Sequence, residues 1–383
     1  MYLKPYTYEK YISYKNKYFN LKKEYYQKGG NLNKEIGYAN NKLGVNLFNK
    51  MDNNNIIFSP LSITFALALI HLAAKGNSNK ELTYLFNHKY KLEELKQIYK
   101  IFNNDIIKIT NVCLINKKKN INKEYLDAIK NLCLVSLDDF NEKNIIVNKI
   151  NNYVKNNTNG LIKNVITNND IDQSTLLILI NTIYFKSEFL NKFNKNNTEK
   201  MLFKGNISKM VDTMKQINVF PYYENKDTQI IEMLYKDNLY AMGLILPKKN
   251  GIIPKLSINE TLELINNLKK NEIELFLPKF KQRKNIKLIP ILQKLGVKDI
   301  FDNNANLAGI SKEMYVSNII HEAIIIVDEI GTEATATTII VGREITIISQ
   351  SKPKLFQADH PFIYYIRHMP TNIFLFYGVL NNL

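Results

Sequence analysis

Two kinds of apolar periodicity occupy different parts of the chain, and their order strongly restricts the possible folds. Apolar residues recur at helical spacing in the first part, whereas strand-like apolar runs dominate the second. This segregation disfavours an alternating βαβ fold and predicts a mixed α+β domain with antiparallel sheets. The predicted helices cover residues 32–50, 60–75, 78–86, 90–104, 122–132 and 142–156. The predicted strands cover residues 176–185, 240–247, 272–280, 322–330, 361–368 and 372–380.

The chain can bury a large core, but it has few groups for chemistry. Of its 383 residues 45% are hydrophobic, and only Cys113 and Cys133 are cysteines, so the fold must rest on packing. Five histidines show no metal-ligand spacing, and neither a nucleophile elbow nor a phosphate-binding glycine loop occurs. No run approaches the roughly 18 apolar residues of a membrane helix. We therefore expect no metal site, no enzymatic activity and no membrane span.

The chain is strongly basic, with 52 basic and 35 acidic residues and a formal net charge of +17. Such a charge attracts polyanions, including nucleic acid, anionic lipid and sulfated polysaccharide. However, Lys, Asn, Ile and Tyr are over-used throughout, as an AT-rich coding sequence would produce, and no long basic block occurs. The densest basic run, Lys117-Lys118-Lys119, fits either a polyanion site or a solvated turn. We do not expect a nucleic-acid partner.

Residues 1–30 differ from the rest of the chain in being rich in Tyr and Lys. A helical stripe at steps of three and four contains Tyr11, Tyr14, Tyr18, Leu21 and Tyr25. We interpret residues 1–30 as an N-terminal extension, which either docks to a partner or an anionic surface or remains a solvated appendage. No linker or repeat follows, so residues 31–383 are predicted to form one domain.

Six motifs within residues 31–383 occur in the order typical of serpins, and the chain therefore resembles that family. The motifs are "NIIFSPLSI" (55–63), "INNYVKNNTNGLIKNVI" (150–166), "NTIYFKSEF" (181–189), "LPKFKQRKNIKLIPILQKLGVKDIF" (277–301), the segment 309–338 and the C-terminal pair 358–380. The resemblance implies the serpin fold, with about three mostly antiparallel sheets, eight or nine helices and an exposed reactive-centre loop at about 329–356. One departure is Phe189, where the family usually has tryptophan. The Tyr/Lys-rich leader resembles those of giant-virus proteins.

The resemblance implies a suicide inhibitor of a serine or cysteine protease. In this mechanism the protease cleaves the loop and forms an acyl-enzyme, and the loop then inserts into the main sheet as a new strand. The catalytic groups would belong to the target protease, which is the expected covalent partner of a monomeric inhibitor. The alternatives are a non-inhibitory serpin acting as carrier or chaperone, an interaction scaffold whose leader supplies the function, and a hydrolase.

The stretch "EIGTEATATTII" (329–340) has the alternation of a strand but almost no side-chain bulk. The predicted hinge residues are Glu329, Gly331, Thr332, Glu333, Ala334, Thr335, Ala336, Thr337 and Thr338. By the family's register the side chains that turn inward on insertion are those of Thr332, Ala334, Ala336 and Thr338. All four are small enough to enter between two strands without overpacking, and Gly331 would be the pivot. The alternative is an ordinary surface loop rich in small residues.

The position of the reactive bond stays open. The family's commonest spacing from Gly331 indicates Ile345–Thr346, which would suit an elastase-like or otherwise aliphatic-tolerant protease. Arg343–Glu344 would suit a trypsin-like protease, but cleavage there would shorten the inserting segment by roughly 6–7 Å. Counting back from "ADHPF" (358–362) indicates Ile348.

The resemblance also assigns a structural role to Ser59, Ser62, Asn181 and His321. In serpins such residues form a hydrogen-bonded shutter beneath the main sheet, whereas the alternative for His321 is a satisfied core histidine. Some relatives bind glycosaminoglycans as activators, for which the lysine run 117–119 is the candidate, and we expect no other cofactor. The N-terminus lacks an apolar signal-peptide core, which favours the cytoplasm or a virion, although some relatives are secreted without one.

Overall fold

The computed structural model describes residues 32–52, 54–249, 251–332 and 352–383. The leader and several predicted site residues therefore lie outside the described residues. These site residues are hinge residues Glu333, Ala334, Thr335, Ala336, Thr337 and Thr338, and Arg343, Glu344, Ile345, Thr346 and Ile348 at the candidate reactive bonds.

Eight α-helices lie within the described residues, and they include all six predicted from the sequence. They are α1 (Leu32–Lys50), α2 (Pro60–Ala73), α3 (Gly76–Phe86), α4 (Leu92–Phe102), α5 (Lys123–Ile129), α6 (Lys143–Asn157), α7 (Ile258–Asn266) and α8 (Ile289–Lys294). The start of α2 shows how local sequence sets a boundary. The Ser59 hydroxyl accepts a hydrogen bond from the N–H of Ser62, and Pro60 occupies the first turn, where its missing N–H has no cost.

Sixteen strands form two sheets within the described part of the chain. In chain order they are β1 (Ile56–Phe58), β2 (Ile107–Asn116), β3 (Leu134–Asp138), β4 (Leu177–Phe185), β5 (Ser187–Glu188), β6 (Glu199–Lys204), β7 (Ser208–Glu224), β8 (Thr228–Leu234), β9 (Tyr240–Pro247), β10 (Lys269–Pro278), β11 (Phe280–Lys287), β12 (Val316–Val327), β13 (Gly331–Thr332), β14 (Lys354–Gln357), β15 (Phe362–His368) and β16 (Ile373–Leu380). Most pairs are antiparallel, as predicted, although β2–β3, β4–β12 and β10–β14 are parallel.

The smaller sheet, which we call the main sheet, has seven strands in the order β3-β2-β4-β12-β13-β5, with β11 paired to β12. The other sheet has nine strands in the order β1-β16-β15-β9-β8-β7-β10-β14, with β6 paired to β7. In the nine-stranded sheet, β7 pairs with β6 and β10 along most of its length and with β8 at its end. The described residues therefore form two hydrogen-bonded sheets, where the resemblance implied about three, because β7 connects its neighbours on both sides into one sheet.

The main sheet is buried on both faces, and β4 is buried along its whole length, as predicted for a central strand. Side chains alternate between the faces of a strand. Leu179 and Ile183 point into the large core on the side of α2, whereas Ile178 and Ile180 belong to a second apolar cluster beneath α6. The main sheet is therefore packed between α2 on one face and α6 on the other.

The parallel strands β4 and β12 are direct neighbours, with Ile180 opposite Ile320 and Ile183 opposite Ala323. The resemblance predicts that the inserting strand enters at the boundary between them. The predicted strand 322–330 ends earlier than expected, at Val327, because the Asp328 carboxylate accepts the backbone N–H groups of the next turn.

Within the part of the chain that the structure describes, none of the helices combines the length and hydrophobicity needed to cross a bilayer. Cys113 and Cys133 are buried free thiols.

Candidate functional site

Four predicted residues meet where α2 begins behind the β4–β12 boundary, and we call Ser59, Ser62, Asn181 and His321 the shutter cluster. Nδ1 of His321 lies 2.8 Å from Oδ1 of Asn181, and the Ser62 hydroxyl donates to the same oxygen at 2.5 Å. The backbone N–H of Ser59 donates to Nε2 of His321 at 3.0 Å. All four residues are fully buried, so these hydrogen bonds have no competition from solvent.

The partners of His321 determine which of its ring nitrogens carries the proton. Because Nε2 accepts from the N–H of Ser59, the proton lies on Nδ1, which donates to Asn181. Burial lowers the pKa of His321 to about 3, and an imidazolium would direct a second N–H against that of Ser59. The ring is therefore a neutral link between α2, β12 and β4.

Sequence reasoning missed a further member of this network, Asn111 of β2. The Asn181 amide donates to Oδ1 of Asn111, so the hydrogen bonds continue into a third strand. A buried amide within the apolar run 107–116 was the available signal. Because His321 and Asn181 lie on opposite sides of the β4–β12 boundary, separating these strands must break their hydrogen bond.

Three buried histidines should make the folded state sensitive to acid. Burial is the main cause that lowers the pKa of His71 to about 4 and those of His321 and His368 to about 3. Below the ordinary value of about 6.5 the unfolded chain binds protons that the folded chain does not, so stability falls as the pH drops from 6.5 toward 4. At pH 5 each histidine should lower the free energy of unfolding by about 2 kcal/mol relative to pH 8. Urea unfolding at the two pH values measures this difference.

In the variant His321→Gln, the difference in the free energy of unfolding between pH 5 and pH 8 should be smaller than in the wild type by about 2 kcal/mol. His71→Gln is a second test, because the pKa of His71 is also lowered by burial, and it should reduce the difference by a similar amount. An unchanged dependence in His321→Gln would contradict the assignment.

The described part of the hinge already has a place in the main sheet. Thr332 pairs antiparallel with Val327 of β12 on one side and with Ser187 of β5 on the other. Its side chain is only 2% exposed, and its hydroxyl lies 2.6 Å from the hydroxyl of Tyr235. The strand β13 thus occupies the gap between β12 and β5, immediately beyond the end of β4.

Gly331 is needed at this position for a reason that sequence reasoning did not give. A Cβ atom there would lie 2.3 Å from the carbonyl oxygen of Ser187 and 2.7 Å from Cα of Glu188. These atoms belong to backbone, which cannot move aside cheaply. In this state glycine is therefore required by the close approach of β13 to β5, whereas the sequence analysis assigned it only a pivoting role.

Glu329 anchors the turn before β13. Its carboxylate lies 3.0 Å from Nζ of Lys279 and accepts a hydrogen bond of 2.9 Å from the Thr198 hydroxyl. Burial opposes the ionisation of Glu329, but the hydrogen bonds, foremost that from Lys279, outweigh it and lower its pKa. The carboxylate is therefore charged at neutral pH and ties the turn to the chain between β10 and β11.

Phe189 fills the position where the family usually has tryptophan. It is buried, and its ring stacks on Tyr235 with centroids 5.2 Å apart and an interplanar angle of 18°. The stacked tyrosine brings a hydroxyl to this apolar region, and that hydroxyl faces Thr332.

The lysine run predicted as a candidate polyanion site has acidic neighbours. Lys117 and Lys118 lie 3.5 and 3.9 Å from Asp139, and Lys119 lies 3.1 Å from Glu313. These carboxylates offset part of the positive charge, which favours the interpretation as a solvated turn. No cluster of three metal-binding side chains occurs among the residues that the structure describes.

The chain was compared with known families and proteins. A family model described as serpin (serine protease inhibitor) matches residues 38–383. A serpin-like protein of Acanthamoeba polyphaga mimivirus is 41% identical over 392 aligned positions, which cover 96% of this chain and 98% of the relative. Human neuroserpin is 31% identical over 367 positions, which cover 88% of this chain and 89% of the relative.

Among solved structures, native protease nexin-1 with heparin matches at a TM-score of 0.81 and 27% identity, covering 92% of this chain and 99% of the other. The predicted α+β fold is thereby confirmed, and the mimivirus relative confirms the resemblance to giant-virus proteins. The match to that relative is longer than residues 31–383 alone, so part of the leader has a counterpart there.

Proposed function

The chain belongs to the serpin family, and we propose that it is a suicide inhibitor that traps a serine or cysteine protease. Members of this family are typically protease inhibitors, although some are not. The proposal is that a protease cleaves the segment 333–351, and that the part before the cut inserts between β4 and β12. We further propose that residues 31–383 act as one domain and residues 1–30 as an extension, and that the protein works as a monomer.

The observation that carries this proposal is the pairing of β13 with both neighbouring strands. Val327 opposite Thr332 and Ser187 opposite Thr332 define two registers, and each can be continued along the sheet. Both registers assign Ala336 a pair of neighbours, Ile183 from β4 and Ala323 from β12. These two residues are already partners in the observed sheet, so the two registers agree.

The same register explains why the inward residues of the hinge are small. Ile183 and Ala323 are fully buried, which leaves room for little more than a methyl group at position 336. Two residues further on, Thr338 would lie between Asn181 and His321 of the shutter cluster. A threonine hydroxyl there could replace the hydrogen bond that separation of the strands breaks.

The register also fixes how much of the chain the new strand can contain. Gly342 would lie opposite Leu177, the first residue of β4, and opposite Ser317, the second residue of β12. Residues 332–342 thus fill the gap, and all three candidate bonds lie beyond it. Cleavage after Arg343 leaves only that residue between the sheet and the protease, whereas cleavage after Ile345 leaves a longer tether. We therefore propose Ile345–Thr346 as the reactive bond.

The chemistry of the first step belongs to the target. Its serine or cysteine attacks the carbonyl carbon of Ile345, the bond to Thr346 breaks, and an acyl-enzyme forms. Insertion of residues 333–342 then carries the attached protease along the sheet. Trapping requires that this displacement distorts the oxyanion hole of the protease before water hydrolyses the ester, or the thioester of a cysteine protease.

Incubation with elastase-like, trypsin-like and papain-like proteases tests the proposal. We expect a protease adduct that survives denaturing electrophoresis, and mass spectrometry should show a released C-terminal peptide that begins at Thr346. A peptide that begins at Glu344 would move the bond to Arg343–Glu344. Cleavage in this region without any adduct would contradict inhibition and favour the non-inhibitory alternative.

A further inference from the structure

Cys113 and Cys133, the only two cysteines of the chain, lie in contact with each other. Their sulfur atoms are 3.7 Å apart, and the thiol of Cys133 donates a weak hydrogen bond to Sγ of Cys113. Two cysteines placed without regard to each other in a chain of 383 residues would seldom meet. The contact therefore singles out this pair as a candidate site of thiol chemistry.

The backbone around the pair leaves one of the two cysteines free to adjust. Cys113 lies within β2, where it is paired with Val135 of β3 and with Leu179 of β4. Cys133 lies outside these ladders, in the turn between α5 and β3, where its N–H donates to the carbonyl of Ile129. A disulfide has a sulfur–sulfur distance of about 2.0 Å, so the two atoms must approach by about 1.7 Å. The side chain of Cys133 and the turn that carries it can share this movement.

A cavity of about 300 Å³ gives small molecules access to one thiol of the pair. Its walls include Tyr99 of α4 and Tyr153 of α6, and the exposed Lys130 and Asn131 lie where it opens to solvent. Of the two cysteines, both of which lie in the described part of the chain, Cys133 lines the cavity and Cys113 does not. The cavity is large enough for a molecule of the size of water or hydrogen peroxide. An oxidant that enters it therefore meets Cys133 first.

We propose that this pair is a redox modification site, at which a hydroperoxide converts the two thiols into a disulfide within the folded chain. The thiolate of Cys133 attacks one oxygen of the peroxide, the O–O bond breaks, and a sulfenic acid and hydroxide form. The thiolate of Cys113 then attacks the sulfenic sulfur and expels a second hydroxide. The two hydroxides take up the two thiol protons, so the cysteines are oxidised and hydrogen peroxide is reduced to water. This modification does not depend on protease trapping.

The pair should react slowly. Its own hydrogen bond, together with burial, raises the pKa of the Cys133 thiol, and the thiolate is the reactive form. Contact with air during purification should therefore leave both thiols reduced. Sustained exposure to a hydroperoxide is the condition that should close the disulfide.

The disulfide should stabilise the fold. It would close a loop of about 20 residues, which contains α5 and the lysine run 117–119. Such a cross-link removes conformational freedom from the unfolded chain, and for a domain of this size the gain corresponds to a rise in melting temperature of about 4 °C.

Peptide mapping of the oxidised full-length chain tests the proposal. The chain is treated with hydrogen peroxide, alkylated under denaturing conditions and digested with trypsin without reductant. We expect the tryptic peptides 109–117 and 131–143 to be joined, and a reductant should separate them. Calorimetry should show the rise of about 4 °C for the oxidised chain and its loss after reduction.

Several results of the same experiment would overturn the proposal. They are alkylation of both cysteines after the treatment, a sulfinic acid in place of the disulfide, and a disulfide between two chains. A cross-linked chain that melts at a lower temperature than the reduced chain would also overturn it, because the fold would then not accommodate the bond.

The variants Cys113→Ser and Cys133→Ser test the order of the two steps. Each lacks the second thiol, so oxidation should stop at the sulfenic acid, which dimedone labels, and neither variant should gain stability from peroxide. Labelling of Cys133 in the first variant should be about tenfold faster than labelling of Cys113 in the second, because Cys133 faces the cavity. Equal rates, or faster labelling of Cys113, would contradict the cavity as the path of the oxidant.

Discussion

A single nick between residues 343 and 348 should raise the melting temperature of the chain by about 15 °C. The proposed insertion adds residues 333–342 as a strand between β4 and β12, whereas the described part of the hinge pairs Thr332 with β12 and Gly331 and Thr332 with β5. A net gain of about 1 kcal/mol for each inserted residue gives roughly 10 kcal/mol. For a domain of this size that gain corresponds to about 15 °C.

Limited digestion with a protease of broad specificity, followed by purification and calorimetry at one scan rate, measures the shift. The intact chain scanned under the same conditions provides the reference. Mass spectrometry verifies that the nick lies within residues 343–348. If nicked and intact proteins melt together, the sheet gains no strand and the proposed energy source for trapping does not exist.

Ala336→Glu should abolish both the rise in melting temperature and the formation of an adduct. The register places this side chain between Ile183 and Ala323, which are fully buried, and an ionised carboxylate there would cost several kcal/mol. A protease should therefore cleave the variant as an ordinary substrate and release it. Denaturing gels for the adduct and calorimetry of the nicked variant check the two effects.

The matched control is Glu333→Gln, because the register places residue 333 on the opposite face, between the half-buried Lys186 and Ile326. This variant should still trap a protease and still gain stability when nicked. Adduct formation by Ala336→Glu would show that position 336 does not face the core, which would refute the register derived from β13.

The sequence predicted the fold well wherever burial produced a clear period. The six early helices occur within a few residues of their expected bounds, and the strand at β4 was identified because its sequence is apolar on both faces. Two of the missed strands, β11 and β7, carry polar residues on exposed faces. In β11, Lys281, Arg283, Lys284 and Lys287 are exposed at the edge of the sheet, so no apolar run marks the strand. In β7, Pro221 and several polar residues had the same effect.

Part of the candidate site could be predicted from the sequence, and part of it required the structure. The shutter residues were identified from family resemblance, but only coordinates give the tautomer of His321 and its hydrogen bond across the β4–β12 boundary. The Asn285 amide donates to both the Glu322 carboxylate and the Val165 carbonyl, which joins three positions far apart in the chain. No local pattern relates a carboxylate, an amide and a backbone carbonyl at such separations, so this link required the tertiary structure.

The two-residue strand β13 has a kinetic consequence. The first step of strand pairing is slow, because the chain loses conformational entropy before any hydrogen bond has formed to compensate for it. Thr332 is already paired in the sheet, with its hydroxyl 2.6 Å from that of Tyr235, so on the proposed function the inserting strand has its first partners before a protease binds. Growth can then proceed in one direction only, away from this fixed end. A shift of the register by one residue would turn every following side chain toward the wrong face, and the pairing of Thr332 prevents such a shift.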